Sequence, residues 1–312
     1  MHDSNRRQFF QRSAAAALGL AAIASGPVAA SAVEPFKRLT EGRIRASLCA
    51  YSLRQRFKYQ DGGKPAADAT LDMFQFVDYC AREGWDGAEL TSYYFPPNPD
   101  AAYLARLKRH CALAGVSVSG SSVGSVLTLP AGEKRDREIQ HVKKWIQNAA
   151  RLGAPYLRVF AGGKGSLSVE EATKWCIDGL VECAAEGEKE GVMLGLEDHG
   201  GISATPDGIL SIIKPAQSEW LGINLDVGNF EAEDPYAAIE RCAPYAVNVH
   251  WKPVMRAWKD SGQRTADWPR IVKLLRAAGY RGFLALEYEL KEEPEAALPK
   301  LLVKTREALA AS

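Results

Sequence analysis

The sequence has almost no net charge, and it lacks an apolar run long enough to cross a bilayer. Its 39 lysines and arginines nearly balance 38 aspartates and glutamates, so the formal net charge is +1. Such a balance gives no electrostatic basis for binding nucleic acid or an anionic lipid surface. A spanning helix needs about 20 apolar residues, and the apolar stretch Ala14–Ala24 is far shorter. We expect no nucleic-acid partner and no stable membrane insertion, and the composition is compatible with an oligomer.

The cysteines lack the spacing of a metal or redox motif. Six are scattered along the chain without a CxxC pair. Most of them fall on helical patterns, which predicts buried free thiols rather than a disulfide framework.

Residues 1–32 have the pattern of a twin-arginine export signal. Asn5-Arg6-Arg7-Gln8-Phe9-Phe10 precedes the alanine-rich stretch, and Ala30-Ser31-Ala32 resembles a cleavage site. The alternative is an N-terminal membrane anchor, for which the stretch is too short. We therefore expect a periplasmic or otherwise exported protein, with the twin-arginine export machinery as a partner. Residues 33–43 are predicted to be a polar lead-in segment.

From Ile44 onward, short apolar runs alternate with amphipathic helical patterns. The eight strand-like runs are Ile44–Tyr51, Trp85–Thr91, Val116–Ser122, Pro155–Ala161, Val192–His199, Leu221–Asp226, Ala246–Lys252 and Gly282–Glu289. The eight helical patterns are Leu71–Glu83, Ala101–Ala114, Glu133–Leu152, Val169–Glu190, Pro206–Ile213, Pro235–Cys242, Trp268–Ala278 and Pro294–Ala310. Continuous apolar runs are typical of parallel strands covered on both faces. The sequence predicts an α/β fold, a single (β/α)8 TIM barrel over residues 44–312. An open doubly wound sheet is the alternative, but no GxGxxG motif follows the first strand.

Four strands in the second half end with a side chain that can bind a metal. The candidate ligands are Glu197, Asp226, His250 and Glu287. In a parallel barrel all four project at one rim, where TIM-barrel active sites lie. Three carboxylates and one imidazole suit Mn²⁺, Mg²⁺ or Co²⁺, with Zn²⁺ also acceptable. Any one acid could instead pair with a lysine or arginine, and for Glu89 at the end of the second strand that interpretation is at least as strong.

The motifs GLEDHGG, GINLDVGNF, VNVHWKP and GYRGFLALEYE resemble the xylose isomerase-like TIM-barrel superfamily, in particular sugar isomerases and epimerases of the D-tagatose 3-epimerase type. The resemblance covers the chain from about Ile44 to the end. It implies one divalent cation, with Mn²⁺ as the first choice, held by Glu197, Asp226, His250 and Glu287. It also implies a small sugar or glycoside as substrate. Abasic-site endonucleases of this superfamily use many histidine ligands, which this chain lacks.

The implied reaction is proton abstraction next to a carbonyl, through a metal-stabilised enediolate. Glu197 and Glu287 would be the catalytic residues, one taking the proton and the other returning it. The alternative is a lyase or dehydratase that eliminates a β substituent from a keto-sugar, keto-glycoside or keto-inositol at the same site. A non-catalytic sugar-binding protein is a third hypothesis, because fold alone does not determine function.

Substrate contacts are less well defined by the sequence. In the epimerases an arginine six residues after the histidine ligand binds substrate, which points to Arg256. The chain departs from the epimerase pattern at two sugar-contacting positions, with Asn229 in place of a histidine and Ser203 in place of a glutamate. The residues predicted to bind substrate are His199, Arg256, Lys252, Asn229 and Tyr51. For several of them a structural role is the alternative: His199 could orient Glu197, and Lys252 could pair with Asp226.

Other side chains near the predicted strand ends have two interpretations each. Arg158 could face the barrel mouth or fill a polar inner layer, and the second is favoured. Asp198 is expected to point away from the ligands. Aromatic residues could stack on a sugar or pack in the core, namely Tyr51, Tyr93, Tyr94, Trp251 and Trp258.

Overall fold

The computed structural model describes residues 33–38, 43–61, 64–256 and 262–311. The predicted export signal, residues 39–42 of the predicted lead-in and Trp258 lie outside these ranges. Among the described residues, no helix has the length and apolarity needed to cross a membrane.

Eight parallel strands close into a barrel. They are β1 (Arg45–Cys49), β2 (Gly87–Thr91), β3 (Ser117–Ser122), β4 (Tyr156–Val159), β5 (Met193–Glu197), β6 (Leu221–Asp226), β7 (Ala246–Trp251) and β10 (Phe283–Leu286). Around the barrel their order is β1-β10-β7-β6-β5-β4-β3-β2. Their side chains are almost entirely buried, as expected for strands covered by helices on the outside. The predicted (β/α)8 TIM barrel is confirmed.

In the described part of the chain eight α-helices surround the strands, and most begin and end where the sequence predicts. They are α1 (Met73–Glu83), α2 (Ala101–Ala114), α3 (Glu133–Leu152), α4 (Val169–Glu190), α5 (Pro206–Ile213), α6 (Pro235–Cys242), α7 (Trp268–Ala277) and α8 (Pro294–Ala310). Asp72 and Ser168 form capping boxes at α1 and α4. Gly84 and Gly191 end the same two helices in left-handed conformations, which glycine adopts without steric cost.

A short antiparallel hairpin was not predicted. It consists of β8 (Val254–Arg256) and β9 (Gln263–Thr265), which follow β7 at the carboxyl end of the barrel. Each strand has three residues and no apolar alternation, so the sequence carries little signal for them. Residues 257–261 between the strands are not described.

The barrel interior contains polar side chains as well as an apolar core. Gly120 on β3 makes room for one of them, because a Cβ there would lie 2.0 Å from Cζ of Tyr156. The Tyr156 hydroxyl thereby reaches the buried carboxylate of Glu89, to which it donates at 2.8 Å. All six cysteines are buried and free, as the sequence predicts.

Candidate metal centre

The structure brings the four predicted metal ligands together at the carboxyl end of the barrel. Glu197 and Asp226 are the last residues of β5 and β6. His250 is the penultimate residue of β7, and Glu287 follows the end of β10. These four strands are consecutive neighbours in the barrel, and the four residues are between 0% and 6% exposed. β10 ends earlier than predicted, so Glu287 lies just beyond the residues that pair with the neighbouring strands.

Three carboxylate oxygens surround Nδ1 of His250. Oε2 of Glu197 lies at 3.2 Å, Oε2 of Glu287 at 3.5 Å and Oδ2 of Asp226 at 4.0 Å. Nδ1 of His250 and Oδ2 of Asp226 are buried without a well-aligned hydrogen-bond partner among the described residues. Two ligand atoms that each lie about 2.1 Å from one cation are separated by about 3 to 4 Å. The donor set therefore fits a single divalent cation, and Glu197, Asp226 and His250 form a candidate metal-binding group.

The charges around the centre also favour a cation. Burial raises the pKa of Asp226 to about 6, although Lys252 opposes the shift. Burial would lower the pKa of His250, but Glu89, Glu287 and other carboxylates raise it well above its ordinary value. Buried carboxylates that lack sufficient positive charge are costly. A divalent cation would supply that charge.

Two cationic side chains of the protein neutralise part of the site. Lys252 Nζ lies 3.2 Å from Asp226 Oδ2, 3.3 Å from Glu287 Oε2 and 2.5 Å from Glu289 Oε2. The predicted alternative of a Lys252–Asp226 pair is thus present in the structure. Nε of Arg158 lies 3.0 Å from Oε2 of Glu197. Burial would raise the pKa of Glu197, but Arg158 and His250 outweigh it and hold the pKa well below its ordinary value.

Glu89, on β2, contacts the edge of the His250 ring opposite to Nδ1. Its two carboxylate oxygens are 3.0 and 3.1 Å from Nε2 of His250. It also accepts hydrogen bonds from Tyr156 and from Nδ2 of Asn248 at 3.1 Å. Among the described residues Glu89 forms an ion pair with His250 and none with a lysine or arginine, so the simpler interpretation from the sequence is not what the structure shows. With a cation in place of the second ring proton, a proton on Nε2 facing Glu89 would leave the Nδ1 lone pair to bind that cation.

Two asparagines in this network were missed in the sequence. Asn224 donates to Oε2 of Glu197 at 3.1 Å, and Asn248 donates to Oδ1 of Asn224 at 2.7 Å. Each stands two residues before a ligand, in GINLD and VNVH. Since alternate residues of a strand face the same side, this spacing indicated that both asparagines point into the barrel.

His199 lies at the rim beside Glu197. Its Nδ1 is 3.0 Å from Oε1 of Glu197, and its ring packs against Phe160. The hydrogen bond to Glu197 raises the pKa of His199, against the effect of burial. The side chain is 57% exposed, so His199 both contacts a predicted ligand and faces the solvent. Asp198 is buried and accepts from the backbone N–H of Asp226 at 2.8 Å, in agreement with the expectation that it points away from the ligands.

The remaining predicted substrate contacts have different surroundings. Arg256 on β8 forms an exposed ion pair with Glu231. Asn229 is half-buried, and its Nδ2 has no partner among the described groups. Ser203 is turned into the protein, where its hydroxyl donates to the carbonyl oxygen of Glu197 at 3.0 Å. Tyr51 is half-buried in a cavity wall. Contact of Arg256, Asn229 and Tyr51 with a substrate stays a prediction.

The aromatic candidates divide between core and cavity. Trp251 is fully buried and donates to Thr305, and Tyr94 stacks on Phe57, so both are core residues. Tyr51 and Tyr93 line a cavity. Arg158 is 2% exposed, consistent with the favoured inner-layer interpretation, although it contacts Glu197.

A family model described as xylose isomerase-like TIM barrel matches residues 77–308. The chain belongs to this family. No curated protein matches the chain. The barrel, the four converging side chains and the family agree with the resemblance seen in the motifs.

Solved structures with the same fold include enzymes that act on sugars and a dehydratase. A 3-keto-D-glucoside 4-epimerase from E. coli has a TM-score of 0.64 at 16% identity, covering 85% of this chain and 100% of that chain. D-psicose 3-epimerase from Clostridium cellulolyticum H10, solved with D-tagatose, has a TM-score of 0.66 at 16% identity, covering 86% and 96%. A probable 3-DHS dehydratase of petrobactin synthesis from Bacillus anthracis has a TM-score of 0.64 at 16% identity, covering 86% and 99%. At these identities the likeness shows the fold.

Proposed function

We propose that the protein is a divalent-metal-dependent sugar isomerase or epimerase that removes a proton from the carbon next to a carbonyl. The observation that carries this proposal is the convergence of Glu197, Asp226 and Glu287 on Nδ1 of His250 at the barrel mouth. Two structural neighbours are named as a 3-keto-D-glucoside 4-epimerase and a D-psicose 3-epimerase. Mn²⁺ is the cation we expect, with Mg²⁺, Co²⁺ and Zn²⁺ as alternatives.

The four residues would hold the cation, and two of them are positioned for acid–base work. A bound divalent cation supplies Lewis-acid polarisation of a carbonyl oxygen. Glu197 and Glu287 stand at the two ends of the strand sequence β5-β6-β7-β10, with Asp226 and His250 between them. They therefore flank the space above the centre. One carboxylate can take a proton from one face of a substrate carbon while the other returns it to the opposite face.

The neighbouring residues would fix the protonation and position of these carboxylates. Arg158 and Asn224 contact Oε2 of Glu197, and His199 contacts Oε1. Arg158 and His250 overcome burial and lower the pKa of Glu197, so its carboxylate is ionised at neutral pH, the form that a general base requires. His199 is exposed enough to exchange protons with solvent. Lys252 forms an ion pair with the carboxylate of Glu287.

A lyase reaction is the second candidate, and Ser203 is the observation that favours it. The epimerase pattern has a glutamate at this position, whereas Ser203 is buried and bound to the Glu197 carbonyl. A sugar-contacting carboxylate is therefore missing, while the four predicted metal ligands are present. The same proton abstraction followed by loss of a β substituent would cleave the glycosidic bond of a keto-glycoside or dehydrate a keto-sugar. One neighbour is named as a probable dehydratase.

Exchange with D₂O distinguishes the two reactions. The Mn²⁺-loaded protein is incubated in D₂O with D-fructose, D-tagatose and a 3-keto-glucoside. Deuterium next to the carbonyl without loss of a group supports the isomerase or epimerase and contradicts the lyase. An unsaturated product with a released alcohol or water supports the lyase. If neither deuterium exchange nor elimination occurs, the result contradicts catalysis, and the sugar-binding protein is the remaining hypothesis.

Two glutamate variants test the assigned roles in the same assay. Glu197→Gln and Glu287→Gln are each expected to slow exchange by about 10²- to 10⁴-fold, the usual contribution of a general acid or base. Glu182→Gln is the control, because Glu182 on the outer helix α4 is 41% exposed and its described ion pairs are with Lys143 and Arg135 on α3. An unchanged rate in either active-site variant would contradict its role.

We also propose that the protein is exported by the twin-arginine machinery to the periplasm. The support is the Asn5–Phe10 pattern and the Ala30-Ser31-Ala32 segment. Replacing Arg6 and Arg7 by lysine is expected to block export and retain the longer precursor in the cytoplasm. Export of that double variant at the normal rate would contradict this assignment.

A further inference from the structure

Lys252 places a cationic group of the protein itself beside the predicted metal ligands. It directly follows β7, and its side chain is 9% exposed. Nζ lies 3.2 Å from Oδ2 of Asp226, 3.3 Å from Oε2 of Glu287 and 2.5 Å from Oε2 of Glu289. One buried ammonium group is therefore in contact with three carboxylates.

Two of these carboxylate oxygens also face Nδ1 of His250. Oδ2 of Asp226 and Oε2 of Glu287 lie 4.0 and 3.5 Å from that nitrogen. The same two atoms thus adjoin both the imidazole and the ammonium group. In two-metal sites the cations stand about 3.5 to 4 Å apart, which is close enough for one carboxylate to contact both. Asp226 and Glu287 adjoin the proposed cation and Lys252 as such shared carboxylates would.

The ammonium group contacts only part of the predicted ligand set. Glu197 pairs with Arg158 and with two histidines, and none of its described ion pairs involves Lys252. Lys252 instead contacts Glu289, which is not a predicted ligand and whose side chain is 41% exposed. The position of the ammonium group is therefore a second cation position, adjacent to the first and bounded by Glu289.

The packing around Lys252 holds its side chain in this position. A Cβ at Gly228 would lie 2.9 Å from Cδ of Lys252 and 2.7 Å from the carbonyl oxygen of Val254. Glycine at this position thus leaves room for the stem of the lysine. The backbone is held as well, because the carbonyl oxygen of Lys252 accepts from Nε1 of Trp268 at 2.9 Å.

The charges require a cation at the second position and leave room for one only. Asp226 is 0% and Glu287 6% exposed, and buried carboxylates without a positive partner are costly. Lys252 supplies a positive charge to both of them. Because like charges at short range repel strongly in a site of low dielectric, the ammonium group disfavours a second divalent cation on the same oxygens.

We propose that the ammonium group of Lys252 takes the place of a second divalent cation, so that the centre holds one metal ion instead of two. The proposal rests on the metal centre of the proposed function and not on the reaction assigned to it. Without the ammonium group, Asp226, Glu287 and Glu289 would form a second site of carboxylate oxygens, which are ligands that Mn²⁺ prefers. The exposed side chain of Glu289 is free to adjust to a metal ion there.

The test counts the Mn²⁺ ions per chain and detects whether two of them are close together. Wild type, Lys252→Met, and Lys252→Met combined with Glu289→Gln are loaded with Mn²⁺, dialysed and measured by elemental analysis and electron paramagnetic resonance. Methionine keeps much of the length of the lysine stem and removes the charge. Lys143→Met is the matched control, since Lys143 is a half-buried lysine on α3 that pairs with Glu182. Lys252→Gln replaces Lys252→Met should the methionine variant fail to fold.

We expect one Mn²⁺ per chain in the wild type and in Lys143→Met, with the spectrum of isolated ions. Lys252→Met should hold two ions with the spectrum of a spin-coupled pair, and the added Glu289→Gln change should remove the second ion. A coupled pair in the wild type, or a Lys252→Met protein that gains no coupled second ion, would overturn the proposal. A wild type that binds no Mn²⁺ would contradict the metal centre of the proposed function, whereas a single ion in both wild type and Lys252→Met would contradict only the role of Lys252.

Discussion

Replacing Glu89 should weaken metal binding without touching a metal ligand. Glu89 is fully buried, and both of its oxygens lie within 3.1 Å of Nε2 of His250. Carboxylates in this position orient the imidazole and raise its basicity, and their loss costs about 10- to 100-fold in metal affinity. Glu89→Gln keeps the shape and an acceptor but removes the charge. We therefore expect Mn²⁺ to bind about 10- to 100-fold more weakly, which is about 1.4 to 2.7 kcal/mol.

The assay separates this effect from a loss of folding. Mn²⁺ affinity is measured by calorimetry, and thermal unfolding is followed with and without the metal. The metal-free midpoint of Glu89→Gln should be lower than that of the wild type, because Glu89 pairs with the buried His250. The stabilisation that Mn²⁺ adds to each protein, measured from its own metal-free midpoint, should be smaller in the variant, as linkage requires. Glu182→Gln serves again as control and should bind Mn²⁺ normally. Wild-type affinity in Glu89→Gln would refute the reasoning that Glu89 acts through the ring of His250.

Two further predictions concern stability. Asp72→Ala removes the N-terminal cap of α1. It should lower the free energy of unfolding, measured in urea, by about 1 kcal/mol. Lys58 and the helix amides overcome burial and lower the pKa of Asp72. The stabilisation by Asp72 is therefore present above about pH 4 and is lost as the pH falls through the folded-state pKa. A loss of stability in Asp72→Ala that grew on acidification would contradict this sign. Gly120→Ala places a methyl group against the Tyr156 ring. It should lower the free energy of unfolding by at least about 1 to 3 kcal/mol. Gly163→Ala, with open space around the position, is its control, and equal midpoints for the two alanine variants would show that the ring moves aside without cost.

The fold was predictable because each element carries its own local signal. Leu221–Asp226 is an apolar run that ends on an acid, and it forms β6 with those same bounds. Ser168 with Glu171 marks the start of α4. The hairpin β8–β9 was missed because its residues have neither apolar alternation nor length.

The positions of the four candidate ligands could be predicted from the strand pattern. The hydrogen bonds that these side chains form with other residues could not. Strand ends of a parallel barrel meet at one rim, so the position of Asp226 and His250 in the chain determines that they approach each other. The hydrogen bond between Glu89 and His250 joins residues 161 positions apart across the barrel. No local pattern reports such a contact, and a salt bridge to a lysine or arginine was the simpler expectation.

The most direct test of the metal centre is the metal content of the purified protein. We predict one divalent cation per chain in the wild type, measured by elemental analysis after dialysis and Mn²⁺ loading. His250→Ala and Glu287→Gln should lose most of it, while Glu182→Gln should retain it. A wild-type protein that holds no cation after loading, or a His250→Ala variant that holds as much as the wild type, would contradict the assignment of these residues as a metal centre.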